Sequence, residues 1–347
     1  MEEQILLSVI IPTYKGKAYI RTAVESVLPV SCTKQILVID DGSPDDTYDY
    51  CCRQWSQEPQ VKVLRKENGG IVDARNFGLD HAEGKYLLFI DHDDQSVASV
   101  VDQAVARAEE TGADMVMWST ERLYADGSRQ PCDRVLQPGV VDKSTIDEIL
   151  LPEMLINQGN TLVAPIVHVW ANLYRRSMIR QGEIRFRRFV DYEDDYLFVF
   201  DCLRQARKAV LLNQVGYYWF YNPKSETYRQ KYIDHILERY EQMYRYFIEK
   251  MQGQPDEHYQ TFIRQDVIVR AVENCATCLN SDQGEKRMLK KLAKENRPVF
   301  GKAPVAAYGG RRKRIFLLLR KGLVNSAFWY VYWDSVYRKY AKKLLAR

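Results

Sequence analysis

Three closely spaced carboxylates are the clearest sign of chemistry in this sequence. Asp91, Asp93 and Asp94 directly follow the apolar run YLLFI at positions 86–90, and only His92 stands among them. Like charges this close repel one another unless a cation, a proton or water separates them. Carboxylate oxygens are the ligands that Mg²⁺ and Mn²⁺ prefer. The cluster therefore predicts a divalent-metal site, and a purely structural role is the alternative.

A second group of acids precedes the helical apolar stripe YLFVFDCL, and it comprises Asp191, Glu193, Asp194 and Asp195. Acids at the start of a helix complement the helix dipole, which is the structural interpretation. The functional interpretation is a general base that takes the proton of an attacking hydroxyl. The residues alone leave both open.

The first 120 or so residues alternate between strand and helix patterns. Apolar runs predict strands at 5–12, 35–41, 61–64, 86–91 and 113–118. Helical patterns lie between them, at 18–28, from about 45, at 71–82 and at 97–111. Continuous apolar strands separated by helices are typical of a parallel sheet that is buried on both faces. In such sheets ligands bind beyond the carboxyl ends of the strands.

That rule predicts one edge at which several polar groups meet. Pro12, Thr13 and Tyr14 end the first strand, and Asp40 and Asp41 end the second. The glycine pair 69–70 precedes a helix, and a positive charge at position 75 follows within that helix. An aromatic ring, carboxylates, a glycine turn and an arginine together suit a nucleoside diphosphate with a hard metal ion. Each piece alone is weak evidence, because a capped turn, a simple loop or a surface arginine would look the same.

Composition and charge narrow the class of protein. The 347 residues are 46% hydrophobic, which supports a large folded interior. The acidic N-terminus does not resemble a signal peptide, and no apolar run approaches the ~20 residues of a spanning helix. These features predict a cytoplasmic protein, in which the seven cysteines, including the CATC motif at 275–278, remain free thiols.

The C-terminal part differs from the rest in pattern and charge. Helical patterns are predicted at 228–251 and 259–279 with a turn at 252–257, and residues 303–314 are predicted to be a connection. Residues 311–347 carry eleven Lys or Arg and one acid, Asp334, whereas the other 310 residues carry 39 basic and 45 acidic groups. A final helix would place six of its apolar residues on one side, namely Trp329, Trp333, Val336, Tyr337, Tyr340 and Leu344. Phe328, Val331 and Tyr332 lie off that side in the first turns, so the helix is not cleanly amphipathic. This side is predicted either to pack on the body or a second subunit, or to dock on an anionic membrane surface at the inner face. Nucleic-acid binding is not expected, because the acidic body offers no basic groove.

Several motifs, in order and at ordinary spacings, resemble family 2 glycosyltransferases with the GT-A fold. They are VIIPTYKGKAYI, ILVIDDGSPDDT, ENGGIVDARNFGL, YLLFIDHDD and YEDDYLF, and VWANLYRRSMI resembles a further segment of bacterial members. The resemblance implies an α/β GT-A domain over residues 1–225, in which 1–120 bind the nucleotide sugar and 121–225 form the acceptor side. A C-terminal helical extension would then occupy residues 226–347.

The resemblance also implies roles for residues at matching positions. The donor would be held by Pro12, Thr13, Tyr14, Asp40, Asp41, Gly70, Arg75 and Asp91. The Asp91-His92-Asp93 motif looks like the DxD of the family, so Asp93, Asp94 and Asp91 would hold Mg²⁺ or Mn²⁺, with Asp93 and Asp94 not separable. Asp194 resembles the catalytic base, with its neighbours Glu193 and Asp195 as alternatives. Trp170, in VWANLYRRSMI, would lie on the acceptor side.

The implied activity is an inverting, metal-dependent transfer of sugar from a UDP-sugar to a hydroxyl of a glycan or lipid-linked acceptor in cell-surface polysaccharide synthesis. The Gln-x-x-Arg-Trp motif of processive members is absent, so the enzyme is expected to be non-processive. A sugar-phosphate nucleotidyltransferase and a non-catalytic nucleotide-sugar-binding protein are the alternatives, and a homodimer is left open.

Overall fold

The computed structural model describes residues 4–156, 162, 168–189, 194–222, 235–250, 266–275, 283–300 and 310–345. Within them the chain forms two compact units. The first comprises residues 1–154, 160–188 and 193–222, and the second comprises 155–159, 189–192 and 223–347.

A ten-stranded sheet, counted over the described residues, organises the first unit. Its strands are β1 (Leu7–Thr13), β2 (Lys34–Asp40), β3 (Val61–Arg65), β4 (Tyr86–Phe89), β5 (Gln95–Ser96), β6 (Met115–Leu123), β7 (Arg129–Pro131), β8 (Gly139–Asp142), β9 (Asn172–Arg175) and β10 (Lys208–Phe220). The strand order is β3-β2-β1-β4-β9-β6-β10-β5, with β7 paired to β6 and β8 paired to β10.

Helices connect these strands in the first unit. They are α1 (Ile20–Val27), α2 (Thr47–Gln54), α3 (Ile71–His81), α4 (Ala98–Thr111), α5 (Lys143–Thr145), α6 (Leu151–Ile156), α7 (Arg176–Gln181) and α8 (Asp194–Gln205), of which α6 ends within the second unit. A π-helical turn (Ile146–Leu150) joins α5 to α6, and a 3₁₀ turn (Val169–Ala171) precedes β9.

The core lies on the central strands. Every residue of β1 is buried, and so is every residue of β4, because helices cover both faces of the sheet. β1 pairs in parallel with β2 and with β4, and Thr13 lies directly beside Asp40 in that register. The carboxyl ends of β1, β2 and β4 therefore meet at one edge, as the sequence predicted.

Six strands of the sheet share one direction, whereas β5, β7, β8 and β9 run antiparallel to the strands they pair with. Of these four, β9 lies inside the sheet, and the strand pattern did not predict it. β9 lies between β4 and β6 and runs antiparallel to both. It is four residues long and includes the buried polar Asn172, so it lacks a strand-like hydrophobic pattern. β10 was also missed, because register shifts after Leu212 and Val215 interrupt its 13 residues.

The described part of the second unit is helical. It contains α9 (Ile236–Lys250), a helical stretch over residues 266–275 that we label α10, α11 (Gln283–Glu295), α12 (Arg297–Phe300), α13 (Gly310–Arg320) and α14 (Val324–Leu345). The predicted connection at 303–314 is wrong for residues 310–314, because they form the first turns of α13. The predicted turn at 252–257 lies outside the described residues. No helix in the described ranges has both the length and the apolar character needed to cross a bilayer.

Candidate active site

The ends of β1 and β2 form the first wall of the candidate site. Pro12 and Thr13 are buried, whereas Tyr14, one residue beyond β1, is 42% exposed. Asp40 is fully buried, and its Oδ2 accepts from the Ser43 amide at 3.2 Å and lies 3.3 Å from Arg65 Nε. Asp40 Oδ1 and Thr13 Oγ1 are both buried without a hydrogen-bond partner among the described residues. Such atoms are rare and costly in a protein interior, so they mark a place where a ligand can supply the missing partners.

The carboxylate of Asp41 shapes the glycine turn before α3. It accepts hydrogen bonds from the amides of Gly69 at 3.0 Å and Gly70 at 2.7 Å, and from Lys66 Nζ at 2.7 Å. Gly70 has φ 85° and ψ 178°, a conformation that is essentially restricted to glycine. Asp41 thus holds this glycine turn from within, and its contact with a donor remains a prediction.

A buried arginine joins the two acidic clusters. Arg75, on the second turn of α3, donates from Nη2 to Asp91 at 2.9 Å and from Nη1 to Asp194 at 2.7 Å, and Nη1 also contacts Asp195. Phe186 covers the guanidinium, with its ring centroid 5.3 Å from Cζ. Burial would lower the pKa of Arg75, but the surrounding carboxylates outweigh it and raise that pKa. The resemblance implied that Arg75 helps to hold the donor. In the structure Arg75 is 3% exposed and bound to carboxylates, and its contact with a donor remains a prediction.

The three acids after β4 have different environments. Asp94 is 1% exposed, accepts from the Tyr217 hydroxyl at 2.8 Å and from the Phe220 amide at 2.9 Å, and is therefore held inside the protein. Burial raises the pKa of Asp94 well above its usual range, and the charges of Asp93 and Asp91 add to this. Asp91 retains 33% side-chain exposure beside Arg75. The carboxylate of Asp93 has no hydrogen-bond or ion-pair partner among the described residues, and burial raises its pKa.

The first residues of α8 bring the second acidic cluster to the same place. Asp195 uses both oxygens, since Oδ1 contacts Arg75 and Oδ2 accepts from the Val169 amide at 3.2 Å. Burial raises the pKa of Asp195 to about 6, although Arg75 opposes this shift. Asp194 uses Oδ2 for Arg75, and its Oδ1 makes no hydrogen bond with a described residue. Glu193 lies outside the described residues.

A stack of three rings supports the turn after β4. Trp170 is 4% exposed and stacks on His168 at 4.4 Å and on Tyr217 at 4.3 Å between ring centroids. The Tyr217 hydroxyl donates to Asp94 and accepts from the Asp91 amide at 3.2 Å, so the stack ends on the acidic turn. Because both neighbours cover the indole, the acceptor role predicted for Trp170 has little exposed ring surface to act through and remains a prediction.

At the far end of the stack, a histidine ring nitrogen contacts a carboxylate. His168 Nδ1 lies 2.7 Å from Asp133 Oδ2. Burial would lower the pKa of His168, but the charge and hydrogen bond of Asp133 outweigh it and raise that pKa. No sequence motif signalled His168, Asp133 or Tyr217, because each acts through a partner more than thirty residues away.

The acids after β4 suit a hard metal ion that takes most of its ligands from the substrate and not from the protein. Within the described ranges, no three His, Cys, Asp or Glu side chains converge as a metal site. Mg²⁺ is commonly held by one or two carboxylates together with substrate phosphates. Asp93, which is half-buried and unpaired, and the accessible Asp91 fit that arrangement, whereas Asp94 is already bonded on both oxygens.

Comparison with known proteins identifies the family. The model of glycosyl transferase family 2 matches residues 8–182, half of the chain, and this span includes the DxD turn and the Arg75 helix. The chain belongs to glycosyl transferase family 2. The protein is therefore a glycosyltransferase, which sets aside the nucleotidyltransferase and the non-catalytic alternatives.

Individual relatives of this glycosyltransferase are similar over most of the chain. The uncharacterised glycosyltransferase EpsJ of Bacillus subtilis (strain 168) is 22% identical over 293 residues, which is 83% of each chain. The uncharacterised glycosyltransferase YibD of Escherichia coli (strain K12) is 27% identical over 270 residues, covering 73% of this chain and 75% of the relative.

The fold of the glycosyltransferase is that of a solved enzyme. The crystal structure of Staphylococcus aureus TarS 1–349 in complex with UDP-GlcNAc superposes with a TM-score of 0.67 at 19% identity, and covers 96% of this chain and 92% of that one. The α/β GT-A fold with C-terminal helices, predicted from the motifs, is confirmed.

Proposed function

We propose that this glycosyltransferase moves a sugar from a UDP-sugar to a hydroxyl of a glycan or lipid-linked acceptor, with inversion, in cell-surface polysaccharide synthesis. The proposal rests on the contacts of Arg75 with Asp91, Asp194 and Asp195, which we call the Arg75 cluster. One guanidinium lies 2.9 Å from Asp91, in the donor-side motif, and 2.7 Å from Asp194, the candidate base. One guanidinium group therefore spans the gap between the donor-side acid and the acceptor-side acid. Direct displacement at one carbon requires the donor and the acceptor hydroxyl to be held this close together.

The donor base is proposed to lie against the ends of β1 and β2. The unpaired Asp40 Oδ1 accepts from an N–H of the base, and Thr13 Oγ1 offers a second polar contact beside it. Tyr14 is exposed enough to stack on the base. The choice of uridine is supported by the UDP and UDP-GlcNAc named in the structures of TarS, which has the same fold.

Asp93 and Asp91 are proposed to hold Mg²⁺ or Mn²⁺ together with the donor phosphates. The ion would supply positive charge against the departing nucleoside diphosphate. The protein contributes by keeping this turn rigid, because Asp94 anchors it to Tyr217 and to the backbone of β10. Asp93 is then the carboxylate of this turn that has no partner among the described residues and is left to bind the ion.

Asp194 is proposed to take the proton of the acceptor hydroxyl. Arg75 fixes Oδ2, and Oδ1 remains for the acceptor. The hydroxyl then attacks the anomeric carbon as the bond to the diphosphate oxygen breaks, and the proton passes to Asp194. Attack from the side opposite the leaving group inverts the anomeric centre.

Donor turnover tests this function directly. The full chain is incubated with UDP-, GDP- and dTDP-sugars, with Mn²⁺ or with EDTA, and release of free nucleoside diphosphate is measured. Mn²⁺-dependent release of UDP, with the sugar product formed in the opposite anomeric configuration by NMR, is expected. Retention of configuration, preference for a GDP- or dTDP-sugar, or equal turnover in EDTA would each contradict the corresponding part of the proposal.

A further inference from the structure

A row of aromatic side chains stands exposed on α14. Trp329 is 61% exposed, Trp333 is 59% exposed and Tyr337 is 73% exposed. Residues four apart lie on the same face of a helix, so these three form one stripe about 12 Å long. Tyr332 packs edge-on against both tryptophans, with centroids 5.8 Å and 5.3 Å away, which stiffens the row.

The opposite face of α14 is already occupied within the second unit. Val324, Ala327, Phe328 and Val331 are buried there. Arg311 of α13 donates to the Val331 carbonyl at 2.8 Å, which ties the two helices together. The helix therefore has its inner contacts, and the aromatic row is an additional outward surface. Single exposed aromatics are ordinary, but a continuous row marks an interaction site.

Positive charge accompanies this row. Lys313, Arg314, Arg320 and Lys321 are exposed on α13 and in the turn that leads into α14. The one acid of residues 311–347, Asp334, lies 3.3 Å from Arg311 Nε and is neutralised by that ion pair. The remaining 310 residues carry more acids than bases. The segment that carries the aromatics, residues 311–347, is thus the most cationic part of the chain.

We propose that α14 docks on an anionic lipid bilayer, with Trp329, Trp333 and Tyr337 in the headgroup layer and the neighbouring Lys and Arg against the lipid charge. Tryptophan and tyrosine favour that layer because their rings are apolar and their N–H or O–H groups stay hydrated. The row runs along the helix axis, so the helix lies in the membrane plane. A second copy of the chain fits less well, because it would bring two strongly cationic segments together.

The intact chain provides the first test. Flotation with vesicles of phosphatidylglycerol and phosphatidylcholine is compared with flotation on pure phosphatidylcholine, at low and high salt. Binding to anionic vesicles that falls at least tenfold at high salt is expected, with no binding to neutral vesicles. Brominated lipids should quench tryptophan emission, because Trp329 and Trp333 are exposed, whereas Trp219 is half-buried and Trp55, Trp118 and Trp170 are nearly fully buried. Absence of vesicle binding at low salt, or binding without quenching, overturns the proposal.

Substitutions on α13 and α14 test which residues form the proposed membrane-binding surface. The triple substitution W329A/W333A/Y337A should reduce vesicle partitioning at least tenfold while keeping the melting temperature, since the three side chains are exposed. Met288→Ala is the matched control, because Met288 is a 55% exposed apolar residue of the same unit. Lys313→Glu combined with Lys321→Glu should also abolish binding at low salt. Unchanged partitioning in both sets, or a dimer in vesicle-free sedimentation that the triple variant dissociates, contradicts membrane docking.

Donor hydrolysis in solution is measured in parallel. It should remain at the wild-type rate in every variant, because none of these residues belongs to the active site. A failure of vesicle binding would therefore leave the proposed transferase function intact, and a failure of donor turnover would leave the membrane surface intact.

Discussion

At the residue scale, the structure separates acids that the sequence could not distinguish. Asp93 and Asp94 are adjacent and chemically identical, but only Asp94 has both oxygens bonded within the fold. The difference comes from Tyr217 and Phe220, which are more than 120 residues away in the chain. Local sequence predicts that acids gather at this edge, but it does not reveal which of them the protein uses for itself.

This difference predicts opposite phenotypes for two neighbouring substitutions. Asp93→Ala should weaken Mn²⁺-dependent UDP binding by at least about tenfold and leave the melting temperature nearly unchanged, because its carboxylate has no partner to lose. Asp94→Ala should instead lower the free energy of unfolding by about 1–3 kcal/mol, since it leaves the Tyr217 hydroxyl and the Phe220 amide unpaired. Calorimetric titration and denaturant unfolding measure the two effects. The reverse pattern would make Asp94 the metal ligand.

The base is tested by two substitutions that keep the shape of the side chain. Asp194→Asn should retain UDP affinity and lose turnover by roughly 100-fold, the common scale for loss of a general base. Asp195→Asn should lose less, because both oxygens of Asp195 are engaged by Arg75 and by the Val169 amide. Single-turnover transfer rates compare them. A larger loss in Asp195→Asn would move the base by one residue.

At the scale of the elements, the turn before α3 depends on one glycine conformation. Gly70→Ala places a side chain where φ is 85° and ψ is 178°, which costs about 1–3 kcal/mol and displaces the turn that Asp41 holds. Gly112→Ala is a suitable control, since Gly112 has φ 68° with no neighbouring atom within 4 Å of an added Cβ, and it lies at the end of α4. Both variants should lose stability, whereas only Gly70→Ala should lose UDP affinity. Equal UDP affinity in the two variants would show that the turn does not contact the donor.

The elements also show where sequence patterns are sufficient. β1 and β2, which end at Thr13 and Asp40, and β4, which ends two residues before Asp91, are continuous buried apolar runs, so their parallel order and common edge were predictable. β9 was not, because it is only four residues long and begins with the buried polar Asn172, whose side chain donates to the His168 carbonyl and the Tyr174 hydroxyl. The bond of Arg75 to Asp194 spans 119 residues and depends on that same tertiary arrangement.

At the scale of the whole molecule, the second unit depends on the helices that carry the basic tail. Ile315, Phe316 and Leu319 of α13 are fully buried, and so is Val331 of α14. Truncation after Gly310 should therefore unfold this unit and expose residues 235–300 to proteases. UDP binding should persist, because every residue proposed to bind the donor lies in the first unit. Limited proteolysis and calorimetry check this, and a truncated chain with protected α9 and α11 would contradict it.

The sharing of Arg75 has a thermodynamic consequence. Asp91, Asp194 and Asp195 share the positive charge of one guanidinium. When Asp91 moves from Arg75 toward the donor, as proposed, Arg75 interacts more strongly with Asp194 and Asp195. With the proposed contact between Asp91 and the donor, the pKa of Asp195, about 6, is expected to fall when donor binds, and a proton is released near that pH. Linkage is reciprocal, so protonating Asp195 weakens donor binding by the same free energy. Donor affinity should accordingly decline as the pH falls through about 6, and donor binding should favour the ionised form of Asp195, the neighbour of the proposed base Asp194.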